Sequence, residues 1–431
     1  MNSKRGGLRL VGLALILAVA SGAWAASEKV LYAFHGTDGG FGGNVVVGPD
    51  GNLYGTTVYG GKNLCPGSGG LGCGVAFRLT QGAGGKWRET VLHAFDEDNT
   101  DGSLPAGGLV IDKKGNLYGT TVYGGPLNQC SNQGCGVVFQ LTPDGHGKWT
   151  ETVLHSFGVT DGAWPFGGLI FDSAGNLYGT ASIGGSSNAC TGGCGVVFEL
   201  TPGAGGRWTE TVLYSFQGVD GEGPLATLTS DVAGNLYGTT EHGGAHGWGT
   251  VFKLAPGGGG KWTEKVLHSF DQTDGSEPGR GLVVDASGDL YGSTPFGGPH
   301  SWGIAFRLTP GGGGKWTETV LHSFDRNNVG GGYLSSGLVL DAAGNLSGAA
   351  YEGGTYGFGN VFKLTSDAKG RWSETVLHSF GEGKGGSTPS GLTIDPGGQL
   401  FGMTRYGGYL SGPCAQGGQY AGCGVVFEIT P

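Results

Sequence analysis

Charged residues are scarce in this chain of 431 residues, where Asp, Glu, Lys and Arg together make up 13%. Long amphipathic helices normally carry salt-bridged charged faces, so this scarcity argues against a helical protein. Catalytic signatures are also missing, because the sequence contains neither a G-x-S-x-G elbow nor an H-E-x-x-H pair. Glycine-rich runs ending in Lys imitate a phosphate-binding loop, but Trp316 follows Lys315 where Ser or Thr is needed.

Glycine is abundant instead, with 98 residues, and apolar residues make up 37% of the chain. This apolar content and a regular pattern argue against disorder. Frequent glycine suits an all-β chain with many tight turns, where positive φ angles are repeatedly required.

Residues 1–25 have the features of a signal peptide: a basic start, an apolar core over residues 10–20, and the small-x-small site Ala23-Trp24-Ala25. The apolar core is shorter than the ~20 residues that a spanning helix needs, which disfavours a retained membrane anchor. No Cys follows the cleavage site, so a lipid anchor is not indicated. We expect a secreted or periplasmic protein with no membrane span after cleavage.

The formal net charge is -10, and removal of three cations with the signal peptide gives -13 for the mature chain. A charge of this sign disfavours nucleic acid or an anionic membrane as a partner.

Eight cysteines form four local pairs, and an even number after an export signal indicates disulfides. Pairing within each loop is the simplest connectivity, although the sequence leaves other pairings open. A zinc site is the alternative, but it needs ligands from two pairs brought together. The pairs are Cys65/Cys73, Cys130/Cys135, Cys190/Cys194 and Cys414/Cys423.

One phrase, KWTETVLHSF at residues 148–157, recurs with small changes six more times, the first copy being the shortened SEKVLYAF at residues 27–34. Each copy ends in a Phe, and successive copies are 61, 62, 59, 54, 54 and 56 residues apart. Repetition on this scale indicates a tandem array of one supersecondary unit. The final residues are Phe34, Phe95, Phe157, Phe216, Phe270, Phe324 and Phe380.

Each unit contains four predicted strands, which in the second copy are residues 108–112, 116–123, 136–142 and 148–157. Four strands with hairpin connections, repeated seven times, predict an all-β, seven-bladed β-propeller. The mature chain opens with a fourth strand and stops after a third strand. Pairing the N-terminal strand with the last blade would therefore close the ring and remove an open edge. We predict one domain over residues 26–431. A solenoid is the alternative, but it would carry polar caps, and none is visible.

The phrases GNLYGTT, GCGVVFxLTP and WTETVLHSF resemble the tandem repeats of the extracellular GloVer family, and LHAF at residues 92–95 is similar to the related HAF repeats. The resemblance covers essentially the whole mature chain. It implies an exported repeat protein and carries no established activity. Relatives of the choice-of-anchor type often append a C-terminal anchor, and this sequence shows none after its last strand.

The loops joining second to third strands, and those joining one blade to the next, should lie on one face of a propeller around the channel mouth. They vary among the repeats, and a variable loop face on a rigid scaffold is where binding usually occurs. The cysteine pairs fall in the second-to-third loops of blades one, two, three and seven. We therefore expect a disulfide-bonded wall on one side of the mouth, facing a lower side made by blades four to six.

Blades four to six have short loops rich in aromatic and His residues, which favour sugars and interfaces but can also simply pack under a loop. The candidate ligand-binding residues from these loops, with Trp164 from an inter-blade loop, are Trp164, His242, His246, Trp248, His300, Trp302 and Tyr356.

Five inter-blade loops contain Asp-Gly. If the carboxylates converge on the channel mouth, they could bind calcium or a polar ligand, since hard cations prefer oxygen ligands. The alternative is turn chemistry, for which Asp-Gly is well suited. No other cofactor is indicated. The candidates are Asp38, Asp101, Asp161, Asp220 and Asp274.

We therefore expect a monomeric binding module for a carbohydrate or another extracytoplasmic protein, bound on the loop-rich face. The His that recurs in the fourth strands is interpreted as structural, because Tyr replaces it twice. An alternative is a metal-assisted lyase or hydrolase resembling virginiamycin-type lyases, with His35, His242, His246 or His300 at the mouth. A structural envelope protein without a ligand is the second alternative.

Overall fold

Each repeat folds into an antiparallel sheet, and the described chain contains seven such blades. The computed structural model describes residues 26–62, 65, 71–96, 100–126, 128–325, 330–381, 383–411, 414 and 421–431. The predicted signal peptide, residues 1–25, lies outside the described residues. Within the described ranges, no helix has the length and apolar character that crossing a membrane requires.

The strands are numbered β1 to β29 along the chain, and each blade uses four positions from the channel outward, with the innermost position of blade 6 split in two. The innermost strands are β2 (Gly40–Val47), β6 (Val110–Ile111), β10 (Ile170–Phe171), β14 (Thr229–Ser230), β18 (Leu282–Val284), β22 (Gly332–Leu334) with β23 (Val339–Leu340), and β27 (Ser387–Ile394). The second strands are β3 (Leu53–Tyr59), β7 (Leu117–Thr121), β11 (Leu177–Ala181), β15 (Leu236–Thr240), β19 (Leu290–Thr294), β24 (Leu346–Glu352) and β28 (Leu400–Tyr406). The third strands are β4 (Val75–Gln81), β8 (Val137–Pro143), β12 (Val196–Pro202), β16 (Thr250–Pro256), β20 (Ile304–Pro310), β25 (Asn360–Ser366) and β29 (Val425–Thr430). The outermost strands are β5 (Trp87–Ala94), β9 (Trp149–Ser156), β13 (Trp208–Ser215), β17 (Trp262–Ser269), β21 (Trp316–Ser323), β26 (Trp372–Ser379) and β1 (Ser27–Ala33). Five short 3-10 turns are Ala83–Gly85, Cys130–Asn132, Ala204–Gly206, Gly258–Gly260 and Gly312–Gly314.

The innermost strands are shorter than the sequence indicates in the middle blades. Residues 108–112 are predicted as one strand, but only Val110–Ile111 pair with the second strand. Asp112 instead begins the turn, where its carboxylate accepts the N–H groups of Lys114 at 2.8 Å and Asn116 at 2.9 Å. Gly115 takes the left-handed φ of 84° that the turn needs. The Asp-x-x-Gly turn is therefore confirmed, and it ends the strand early.

The ring closes as predicted, through the N-terminal strand. β1 pairs antiparallel with β29, from Ser27 opposite Thr430 to Ala33 opposite Val425. The resulting sheet has the order β1-β29-β28-β27, so the first and last strands of the described chain share the seventh blade. This pairing removes the free edge that a linear array of blades would leave.

A buried Phe pair joins every blade to the next. The Phe that directly follows each outermost strand packs against a Phe in the third strand of the following blade, with ring centroids 4.9 to 5.2 Å apart. Five of the pairs are edge-on, and Phe324–Phe362 and Phe380–Phe427 are tilted. Phe34 and Phe77 form the pair between the seventh and first blades, and both are 0% exposed. Aromatic pairs in this geometry stabilise by about 0.5 to 1.5 kcal/mol beyond their buried area.

The second Gly of the GNLYG phrase leaves space for these Phe rings. At Gly119 a Cβ atom would lie 2.6 Å from the Cζ of Phe139, and at Gly292 it would lie 2.4 Å from the Cζ of Phe306. These distances are well inside van der Waals contact, so any larger residue would displace the ring. The Phe ring can therefore pack at this position only because the facing residue is Gly.

All four local cysteine pairs form disulfides, which confirms the predicted pairing within each loop: Cys65–Cys73, Cys130–Cys135, Cys190–Cys194 and Cys414–Cys423. No free thiol is left for the zinc alternative, since all eight cysteines of the sequence are accounted for.

The disulfides lie at the buried base of their loops. The wall that the sequence suggests stays a prediction, because residues 63–64, 66–70, 127, 412–413 and 415–420 of these loops lie outside the described residues. The second cysteine of each pair lies two residues before a third strand and is 0% exposed. It is buried because the next blade covers it, and its carbonyl accepts a backbone N–H from that blade at 2.9 to 3.0 Å. Each disulfide therefore fastens its loop to the buried body of the blade. The four buried cysteines are Cys73, Cys135, Cys194 and Cys423.

We expect Phe34→Ala to lower the free energy of unfolding by about 3 to 5 kcal/mol, the usual cost of truncating a buried Phe. The reason is that Phe34 lies in the packing that connects the last blade to the first. Urea unfolding of the mature protein measures the change. Phe157→Ala should cost a similar amount, whereas Val232→Ala, at a fully exposed side chain, should change stability by less than ~0.5 kcal/mol. An effect of Phe34→Ala as small as that of Val232→Ala would contradict ring closure by the N-terminal strand.

Candidate functional site

A central cavity of about 1090 Å³ runs between the innermost strands of the seven blades. Its lining includes residues from every blade, such as Asn44, Gly107, Gly167, Ala226 and Arg280. A large concave site with a few polar groups is the usual location of a ligand site in such a fold. The cavity is therefore the candidate site.

Seven equivalent backbone positions, one per blade, form what we call the mouth ring. Six are non-glycine residues with φ between 53° and 60°, and the seventh is a Gly with φ of 68°. Each donates its backbone N–H to a carbonyl of the preceding blade, at 2.8 to 3.2 Å. The mouth ring consists of Phe41, Leu104, Trp164, Gly223, Glu277, Tyr333 and Thr388.

The left-handed backbone of the mouth ring is strained for residues other than Gly, and such strain persists only where surrounding contacts impose it. Here the inter-blade hydrogen bond imposes it. Trp164, for example, donates its N–H to Cys135 at 2.9 Å and accepts from the N–H of Ser182 at 3.3 Å. The fold thus fixes the backbone at this position, while the side chains of the seven members differ in size and charge.

Aromatic side chains form one part of the cavity lining. Trp164 and Tyr123 pack edge to face with centroids 6.2 Å apart, and both line the cavity together with Phe166 and Tyr59. The buried Nε1 of Trp164 has no hydrogen-bond partner among the described residues. We call these four residues the aromatic sector of the cavity, and their rings provide flat apolar surfaces.

Charged residues form another part of the lining, from blades four, five and seven: Glu222, Glu241, His242, Arg280 and Arg405. Desolvation by the surrounding protein lowers the pKa of Arg280, with Arg405 acting in the same direction and Glu241 opposing it. Desolvation raises the pKa of Glu241, which His242 opposes from 3.9 Å. Acceptors and donors for a polar ligand therefore lie in the same sector.

Arg280 interrupts a pattern of small residues. In other blades its position holds Gly107, Gly167, Ala226 or Ser336, whose carbonyls each accept a hydrogen bond from a hydroxyl in the preceding blade at 2.9 to 3.3 Å. The corresponding hydroxyl before Arg280 belongs to Thr239, and it is buried without a partner among the described residues. Arg280 is thus the one long side chain at this position, and it lines the cavity. At this blade the hydroxyl-to-carbonyl hydrogen bond from the preceding blade is absent among the described residues.

The five candidate aspartates are placed differently from the prediction that they converge on the channel. None belongs to the lining of the cavity among the described residues. Four accept a backbone N–H within their own turn at 2.7 to 2.9 Å, as Asp161 does from Gly158. All five also bond a His or Tyr of the outermost strand, which is the recurring His or Tyr of the repeat. The turn chemistry that the sequence also allowed accounts for this placement. The residues are Asp38, Asp101, Asp161, Asp220 and Asp274.

The candidates from the short loops divide into two groups. His242 lines the cavity, whereas His246, His300 and Tyr356 are exposed on loops outside its lining. His35 also lies outside it and pairs with Asp38 at 3.0 Å.

Trp248 and Trp302 occupy the position that the second cysteine of each disulfide has in other blades. Their carbonyls accept from the mouth-ring residues Glu277 and Tyr333, just as Cys135 accepts from Trp164. Bulky aromatic residues thus replace the disulfide at this position, outside the cavity lining.

Sequence reasoning found Trp164 but missed the other six members of the mouth ring, as well as Glu241, Arg280 and Arg405. An alignment of the seven copies could have found part of this set. Five mouth-ring residues precede a Pro, as in Leu104-Pro105 and Trp164-Pro165, so the position can be recognised and its variable side chain noticed. Arg280 would then stand out as the one long residue in a column of small ones.

Seven four-stranded blades closed around a central cavity define a seven-bladed β-propeller. The chain belongs to the Gloeobacter/Verrucomicrobia repeat family, whose model matches residues 19–191 and 187–412. This confirms the resemblance drawn from the repeat phrases. No curated protein sequence matches the chain significantly.

Solved propellers resemble the structure at low similarity. A protein of unknown function from Dyadobacter fermentans has a TM-score of 0.44 and 11% identity, covering 94% of this chain and 98% of its own. A luciferin-regenerating enzyme has a TM-score of 0.44 and 13% identity over 75% and 91% of the two chains. A gluconolactonase from Xanthomonas campestris has a TM-score of 0.41 and 14% identity over 73% and 82%. At these values the similarity carries no argument about the activity of this chain.

A repeated buried Glu lies beside the candidate aspartates, on the outermost strand of the next blade. In all seven copies its Oε1 atom is buried without a hydrogen-bond partner among the described residues. Burial raises the pKa of Glu89 to about 8 and of Glu264 to about 7, and the charges of Asp38 and Asp220 add to these shifts. The seven are Glu28, Glu89, Glu151, Glu210, Glu264, Glu318 and Glu374.

We expect the double variant Glu89→Gln, Glu264→Gln to flatten the pH dependence of stability. A carboxyl whose folded pKa exceeds its unfolded value of 4.5 contributes stability that is fully present below pH 4.5 and is lost as the pH rises through about 7 to 8. The wild-type midpoint of thermal unfolding should therefore fall between about pH 5 and 8, and the variant should lose part of this fall. Calorimetry across this range measures both.

The matched control is Asp367→Asn, at a surface carboxyl whose pKa is lowered by hydrogen bonds from Arg371. This group is ionised in both the folded and the unfolded state between about pH 5 and 8. Its removal should therefore leave the pH dependence of the unfolding midpoint unchanged. If the unfolding midpoint changes equally with pH in the wild type and in the double variant, the buried carboxyls do not have shifted pKa values.

Proposed function

We propose that the protein is an exported β-propeller module that binds a neutral carbohydrate at the mouth of its central cavity. The observation that carries the proposal is the pairing of an aromatic sector, with Trp164 and Tyr123, and a charged sector, with Glu241, Arg280 and Arg405, in one cavity.

Sugars match this lining chemically. The C–H faces of a sugar ring pack on aromatic side chains, and its hydroxyl groups need both acceptors and donors. Glu222 and Glu241 supply acceptors, while Arg280 and Arg405 supply donors.

Charge favours a neutral over an acidic glycan. The mature chain has a formal net charge of -13, and a field of this sign slows the approach of polyanions. At the cavity, the carboxylates of Glu222 and Glu241 balance Arg280 and Arg405, so no net positive site is formed.

Export is supported by the four disulfides, since such bonds form and persist in oxidising compartments. Secretion or periplasmic residence follows if residues 1–25 act as the signal peptide that the sequence predicts.

A second candidate function is a lyase or hydrolase acting at the same cavity. It is favoured by His242, which lies 3.9 Å from Glu241 and is the one histidine among the four candidates that lines the cavity. Release of new reducing or unsaturated ends from a bound glycan, abolished by His242→Ala, would support this function. Saturable binding without turnover favours the binding module.

We expect at least one neutral polysaccharide from a soluble panel of glucans, mannans, xylans and galactans to raise the unfolding midpoint of the mature protein, because a ligand of the native state stabilises it by mass action. Trp164→Ala should weaken that binding about tenfold, which corresponds to ~1.4 kcal/mol of lost packing. Isothermal titration measures the dissociation constants.

Trp248→Ala is the matched control, since Trp248 is partly exposed but lies outside the cavity lining. Its dissociation constant should stay within about twofold of wild type. If Trp248→Ala weakens binding as much as Trp164→Ala, or if no glycan binds, the cavity is not a carbohydrate site.

A further inference from the structure

The junctions between blades bring together side chains that are distant from the cavity. At the junction of blades 2 and 3, His155 lies on β9, Asp161 lies in the following turn, and Glu210 lies on β13 of the next blade. We call these three residues the junction cluster. None of the three lines the central cavity among the described residues.

The junction cluster is compact enough to surround a single ion. One ligand atom from each residue lies within 4.8 Å of the others. The Nε2 of His155 is 3.1 Å from the Oδ2 of Asp161. The distances between two ligands of one tetrahedral ion are ~3.5 Å, which is within the range of separations in this cluster.

Two features of the junction cluster favour a ligand over a purely structural role. Asp161 is already oriented, because its Oδ1 accepts the N–H of Gly158 at 2.7 Å and its Oδ2 faces His155. Glu210, unlike Asp161, has an oxygen without a partner. Its Oε1 is shielded from solvent and accepts no hydrogen bond from the described residues. A buried polar atom without a partner destabilises the fold, and a cation would supply the missing interaction.

The donor atoms select the class of ion. One imidazole nitrogen with two carboxylates is a set that suits zinc and neighbouring divalent transition metals, and it leaves a coordination position for water. Calcium prefers six to eight oxygen ligands, which this cluster does not provide.

Other junctions in the described chain match the cluster less well. Tyr214 replaces the His beside Asp220 and Glu264. Two junctions repeat all three residue types, but among the described residues only the junction cluster brings its three ligand atoms within 4.8 Å. These two sets are His93/Asp101/Glu151 and His268/Asp274/Glu318.

We propose that His155, Asp161 and Glu210 bind one divalent transition-metal ion of the zinc class, which joins the outermost strands of blades 2 and 3. The site is separate from the carbohydrate cavity. Its role is to tie neighbouring blades together, at a point where blade 3 otherwise contributes a carboxylate with an unpaired Oε1 atom.

The test is titration of zinc into untagged, EDTA-treated mature protein by isothermal calorimetry, with metal content after dialysis measured by mass spectrometry. We expect one ion per chain from the junction cluster, and a higher unfolding midpoint with zinc. Glu210→Gln should weaken this binding at least tenfold and remove the zinc-dependent rise in midpoint. His155→Ala should do the same.

The matched control is Glu264→Gln, which changes the equivalent Glu at the junction where Tyr214 replaces His. This variant should bind zinc with wild-type affinity and stoichiometry. Circular dichroism of each variant without metal establishes that it folds. Absence of zinc binding in the wild type, or unchanged binding in folded Glu210→Gln, would overturn the proposal.

Discussion

The structure depends on one repeated contact, the packing of the Phe after each outermost strand against a Phe in the next blade. The contact is made seven times at nearly the same distance, so every pair of neighbouring blades shares the same buried aromatic contact. The Gly opposite each ring, such as Gly119, leaves the space that the ring fills. The N-terminal strand must join the last blade for the seventh contact, between Phe34 and Phe77, to form.

The mouth ring has a fixed backbone conformation and variable side chains. Each mouth-ring residue is held in a left-handed backbone by a hydrogen bond to the preceding blade, whichever side chain it carries. Trp164, Glu277 and Thr388 can therefore occupy equivalent positions without any change in the fold. The backbone strain at these positions is borne by inter-blade contacts, so it does not depend on which side chain is present.

The junctions show that symmetry in sequence does not imply equivalence in chemistry. Every copy places a Glu with a buried, unpaired Oε1 beside the preceding blade, yet its neighbours differ between Tyr and His. Where Tyr214 donates to Asp220, the junction is a hydrogen-bonded contact. Where His155 and Asp161 meet Glu210, three metal-ligating groups come together. One substitution within a repeat is thus enough to change what a junction can bind.

The architecture of this protein can be predicted from its sequence. A phrase that returns every 54 to 62 residues, four strand-like segments per copy and turn signals between them are local features, and they predict blades, ring closure and disulfides within short loops. Which residues share the cavity, and which are covered by a neighbouring blade, becomes visible in the folded chain alone. Arg280, Arg405 and Glu241 are far apart in the chain and meet because blades converge on the axis, while Asp161 turns toward His155 and away from the cavity. Local periodicity carries no information on the direction of a loop side chain or on contacts between distant blades, because both follow from how the blades pack.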